Sequence, residues 1–179
     1  VVWNDGDPAN RAVLAEKMRS AMAQAWEKTE RHALEGVTLR TSDLFIEPKA
    51  SRGFTEEDMR HTLKNTSDTI FNRNLAAMGL SWRERVSTGL PITVPAIDFG
   101  PAQLLLLPDE AYVEYQLFAQ QQRPDSFVLT LGYGECAPGY IPTEQAWSEN
   151  DTNLHDWCWV APGSEERMRR AIRVVLAGK

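Results

Sequence analysis

The stretch from Gln103 to Leu131 limits the fold more than any other. Gln103-Leu104-Leu105-Leu106-Leu107 is a short, nearly continuous apolar run, and Phe127-Val128-Leu129-Thr130-Leu131 is a second. Runs of this length read as strands, and the solid leucines of the first read as a strand buried on both faces. Between them, Pro108-Asp109-Glu110 opens a helix expected to reach about Gln122. Strand, helix and strand within about thirty residues is the size of a crossover unit, which lays two strands parallel. The expected class is therefore α/β, with α+β as the broader possibility: a mixed sheet flanked by helices.

The flanking sequence fits that frame. Asp7-Pro8 caps a helix expected to run to about His32, with Val13, Leu14, Met18, Met22, Ala25 and Trp26 as its core-facing stripe. Residues 37–40 and 44–47 read as two short strands ended by Pro48. Thr55-Glu56-Glu57-Asp58 is a capping signature for a helix to about Asn65. A further helix follows Ser67-Asp68, with Ile70, Phe71, Leu75, Met78 and Trp82 on one face. Gly79 inside it costs about 1 kcal/mol relative to Ala. Residues 92–99 form the strand before the leucine run, with Gly100-Pro101 as the turn. After the second apolar run come a glycine-rich loop at 132–139, Tyr140 and a short helix from Thr143. The last helix runs from Ser164 to about Ala177.

Composition narrows the function classes. The 179 residues suit one domain, and 42% hydrophobic content supports a packed core. The longest apolar run, Leu104 to Leu107, is far below the roughly 20 residues needed to span a bilayer. With 25 acidic and 19 basic residues the net charge is −6, which argues against nucleic acid as a partner. The one basic cluster, Arg167, Arg169, Arg170 and Arg173, stands beside Glu165 and Glu166 and reads as a solvated helix face. Cys136 and Cys158 leave a disulfide and two thiols equally open. The opening at Val1 reads as a cut, so it says nothing of compartment.

Ligands of open α/β sheets bind beyond the carboxyl ends of strands. Two strand ends qualify: Leu107 leading to Asp109-Glu110, and Leu131 leading to Tyr140. If the strands are parallel neighbours, Glu110 and Tyr140 share a rim, where a carboxylate and a phenol could ligate a cation or move protons. The plainer reading places Asp109 and Glu110 in a first helical turn, offsetting its dipole, and Tyr140 in packing. Gly132 and Gly134 are followed by Gly139 too late for a dinucleotide fingerprint, and no P-loop lysine follows. Neither His155 with Cys136 and Cys158, nor Ser148 with His155 and Asp156, has the spacing of a zinc site or a triad.

The residues between Asp98 and Trp147 carry a resemblance. Leu107-Pro108-Asp109-Glu110, the helix, Arg123-Pro124-Asp125, the strand and Pro138-Gly139-Tyr140-Ile141-Pro142-Thr143-Glu144 resemble the neutral/alkaline non-lysosomal ceramidase family, in its divergent bacterial members. Asn4-Asp5-Gly6 with Pro8 and Asn10-Arg11, and Val160-Ala161-Pro162-Gly163, resemble it too. The resemblance implies a zinc amidohydrolase of sphingolipid metabolism that hydrolyses the N-acyl bond of a ceramide-like lipid, and it implies export to the periplasm or the cell exterior. It places the metal-ligating glutamate on Glu110, with Asp109 in place of the usual glycine, and the metal-ligating tyrosine on Tyr140. The family's two early histidines have no counterpart, since His32 and His61 fall in or near helices and His155 comes late. Residues 1–179 then correspond to the C-terminal part of such a domain, with an upstream segment missing. The family's later Tyr-Glu pair falls on Thr152-Asn153, and threonine cannot act as a phenol. The expected function is part of a zinc amidohydrolase, inactive by itself, or else a non-catalytic relative serving as a binding or structural domain.

Overall fold

The computed structural model describes residues 6–31, 33–136 and 138–177. Asn4 and Asp5 of the opening motif, and His32, lie outside them. The chain forms two compact units, residues 1–34 and 35–179.

The first unit holds one helix, α1 (Asn10–Glu27). It starts later than the Asp7-Pro8 signal, although the Asp7 carboxylate does accept the Ala9 N–H at 2.9 Å. None of its residues is buried. The stripe expected to face a core is open instead, with Met18 65% and Trp26 74% exposed. The physical reason is that a lone helix offers its own unit no second layer to pack against.

The second unit is a mixed sheet with helices on one face. Its strands are β1 (Thr38–Leu44), β2 (Ile92–Asp98), β3 (Ala102–Pro108) and, later in the chain, β5 (Phe127–Gly134). They lie in the order β1-β2-β3-β5. The first two pairings are antiparallel and β3·β5 is parallel, with Leu104 opposite Leu129. The connection between the parallel strands carries α4 (Val113–Gln122), as the crossover spacing requires. The two short strands expected near residues 37–47 are one strand. Polar Thr41, Ser42 and Asp43 are tolerated there because β1 is a sheet edge.

One face of the sheet turns Leu44, Ile92, Val94, Ala96, Leu105, Leu107 and Val128 inward. They pack against Tyr115 and Ala119 of α4 and Met168, Ala171, Ile172 and Val175 of α6 (Ser164–Leu176). The opposite face is half open. Leu104 and Leu106 are only partly covered and Phe127 is 68% exposed, so the leucine run alternates instead of being buried on both faces. A helical hairpin, α2 (Glu56–Lys64) and α3 (Ile70–Ser87), follows β1. Thr55 and Thr69 cap the two helices with side-chain oxygens at 3.1 Å from the N–H groups of Asp58 and Asn72. Trp82 and Leu75 of α3 turn inward as expected, whereas Ile70, Phe71 and Met78 stay exposed. On α6, Arg167 pairs with Glu47 at 3.3 Å and Arg169 with Glu165 at 2.6 Å.

Candidate functional site

The segment after β3 corrects one expectation and thereby builds the site. Pro108-Asp109-Glu110 does not open the helix. Glu110–Ala111 form a short strand, β4, and α4 begins only at Val113, with Tyr112 at its cap. The cause is Asp109, whose φ of 38° lies in the left-handed region. This is the position where the resemblance has glycine, and Asp is among the few other residues that tolerate it. The left-handed turn swings Glu110 out of helical register, which sets aside its reading as a helix-dipole residue.

Across from β4 lies β6 (Tyr140–Ile141), paired in parallel with Glu110 opposite Tyr140 and Ala111 opposite Ile141. The two candidate residues are thus direct ladder partners at the carboxyl end of the main sheet. Glu110 is the largest influence on the Tyr140 phenol and holds it above its ordinary pKa. Both residues are half-buried.

Asp109 holds the two strands in that register. Its carboxylate accepts the Gly139 N–H, and its carbonyl oxygen accepts the Tyr133 N–H at 2.8 Å. Burial, with Glu110 as a neighbouring charge, pushes its pKa up to about 6 against the Gly139 hydrogen bond. Gly139 has φ 75°, and a Cβ there would sit 2.1 Å from the Trp157 carbonyl oxygen. Gly139 therefore serves close backbone approach at a positive φ. After Tyr140, Pro142 is fixed from α4 by the buried Tyr115, whose hydroxyl donates to its carbonyl at 2.8 Å.

A second phenol stands beside the first, and sequence reasoning missed it. The ring of Tyr112 meets that of Tyr140 edge-on, with centroids 5.9 Å apart and planes at 89°. Its hydroxyl donates to Asp151 Oδ2 at 2.8 Å. Burial comes first and the Asp151 hydrogen bond second in holding this phenol well above the ordinary tyrosine range. Tyr112 and Asp151 are 39 positions apart, so no local spacing signals the pair.

The remaining candidates lie elsewhere. Thr152 is exposed on a 3₁₀ turn, Thr152–Leu154, whose cap is Asp151. His61 is exposed on α2. His155 Nε2 lies 3.2 Å from Asn150 Oδ1, and the Ser148 hydroxyl donates to the Gln145 carbonyl, so these two and Asp156 form no triad. Cys136 and Cys158 are not joined in a disulfide. Among the described residues, no group of three or more His, Cys, Asp or Glu side chains is placed to hold a metal ion. No described helix is long and apolar enough to cross a membrane. No family model, no curated protein and no solved structure matches the chain.

Proposed function

We propose that the chain carries the glutamate–tyrosine half of the zinc site of a ceramidase-like amidohydrolase. The observation that supports it is the in-register pairing of Glu110 with Tyr140 on adjacent parallel strands, phenol against carboxylate. The donors suit zinc in kind. A carboxylate is an ordinary zinc ligand, and two oxygens side by side leave the remaining tetrahedral positions for other donors and for substrate. Zinc, when bound, supplies Lewis acidity toward an amide carbonyl. The chain's own residues do the rest. Glu110 and Tyr140 would hold the ion, and Asp109 fixes their register through Gly139. The substrate class is an N-acyl, ceramide-like lipid, and an exported setting goes with that reading.

The test is zinc uptake by the domain restored with the upstream histidine-bearing segment that the resemblance implies, measured by competition with a chromogenic chelator. Glu110→Ala and Tyr140→Phe should each weaken it by about tenfold or more. Uptake by Glu110→Ala equal to that of the wild type would overturn the reading.

A second reading, a non-catalytic relative acting as a binding or structural domain, is favoured by one observation. Thr152 stands exposed where the resemblance has a phenol. Zinc-dependent hydrolysis of a fluorogenic N-acyl substrate would exclude it.

A further inference from the structure

The geometry points to a clamp. We propose that Tyr112 and Asp151 together fix the Tyr140 ring beside its ladder partner Glu110, which makes Tyr112 a positioning residue of the site. The functional importance of the clamp rests on the ligand reading of Glu110 and Tyr140, whereas its existence rests on the ring and hydrogen-bond geometry alone.

Tyr112 extends the short ladder by one step, since its backbone N–H donates to the Ile141 carbonyl at 3.4 Å. Its ring is thereby delivered against Tyr140 from the strand that carries Glu110. An edge-to-face pair of this kind contributes about 0.5–1.5 kcal/mol beyond its area burial and prefers one relative orientation. A tyrosine ring held by a single neighbour still turns, unless that neighbour is itself fixed. Asp151 does this. A hydrogen bond to a carboxylate is stronger than a neutral one, and the Tyr112 hydroxyl donates to the Asp151 carboxylate at 2.8 Å.

Asp151 is rigid in turn. Its Oδ1 accepts the Asn153 N–H at 2.9 Å, its own N–H donates to Ala146 at 3.1 Å, and its carbonyl accepts the Leu154 N–H at 3.0 Å. The turn is anchored below by Leu154, which is buried and whose carbonyl receives the ammonium group of the buried Lys49. The chain of contacts runs from core to turn, to carboxylate, to Tyr112, to Tyr140. A metal-ligating side chain whose rotamer is already locked loses less freedom on ligation, and such supporting residues set affinity.

The experiment uses the full chain with ¹³C-labelled tyrosine, zinc alone as the probe ion, and the variants Tyr112→Phe, Asp151→Ala and Asp151→Asn. Tyr140→Phe identifies the Tyr140 ring signals by their loss. In the wild type these signals should show slow ring flipping. Tyr112→Phe and Asp151→Ala should average them and weaken zinc uptake by about tenfold. Asp151→Asn, which still offers an oxygen to the phenol, should restore both readouts toward the wild type. The clamp is overturned if Tyr112→Phe and Asp151→Ala, folded by circular dichroism, leave the ring signals unchanged. It is also overturned if Asp151→Asn behaves as Asp151→Ala does. The ring signals need no metal, so a Glu110→Ala variant that keeps full zinc uptake would sink the ligand reading while the clamp is still decided by the tyrosine spectrum.

Discussion

Asp109 joins a backbone conformation usual for glycine to two properties that glycine lacks. It tolerates a left-handed φ of 38°, its carboxylate ties the strand end to the loop at Gly139, and its burial raises its pKa to about 6. The last has a pH consequence with a definite sign. A carboxyl whose pKa is higher folded than unfolded favours the folded chain when protonated. Its contribution is complete below about pH 4 and is lost as pH rises through about 6. The full shift would correspond to roughly 3 kcal/mol, but solvent screening at this half-buried position reduces it to about 1 kcal/mol. Denaturant titrations between pH 4 and 7 should therefore show a loss of stability of about that size, absent in Asp109→Asn. An unchanged slope in that variant would assign the effect to other groups.

Among the elements, α3 shows how packing overrides propensity. Gly79 is a poor helix former, yet a Cβ there would lie 2.3 Å from Met59 Sδ and 2.6 Å from the Trp159 ring. Gly79→Ala should thus destabilise the chain by about 1–3 kcal/mol, against the helical preference for alanine, as read by thermal or urea unfolding. The sequence carried the position of α2 and α3 because caps and apolar period agree there, of α6 by its apolar period, and of β2, β3 and β5 as short apolar runs. It did not carry β4, since nothing local announces that Asp109 takes a conformation usual for glycine. Nor did it carry the exposure of α1, where a helical stripe is present and the layer it would need is not part of its own unit. Glu110 and Tyr140 were legible from strand ends and motif. Tyr112 and Asp151 were not, because only the third dimension joins them.

At the scale of the molecule, the second unit closes over a continuous core from the sheet through Trp159 and Val160 to α6. Cys158 lies inside it, fully buried, and burial pushes its thiol up to about 11. A thiolate is the reactive form, so Cys158 should resist a disulfide reagent at pH 8 in the native state and react at a rate set by opening of the fold. Modification of Cys158 at the unfolded-peptide rate would show that this part of the core opens readily. The two phenols and their acidic partners are all half-buried, at the margin of this core.

The pairing of Glu110 with Tyr140 depends on one rung of a two-residue ladder and not on the count of residues separating them. Changes of chain length between them can therefore be absorbed wherever Asp109, Tyr115 and Gly139 keep their places, whereas a single-residue slip within Glu110–Ala111 or Tyr140–Ile141 would break the pairing. Homologous chains are free to vary in length between the acid and the phenol, and a search keyed to a fixed interval would overlook them.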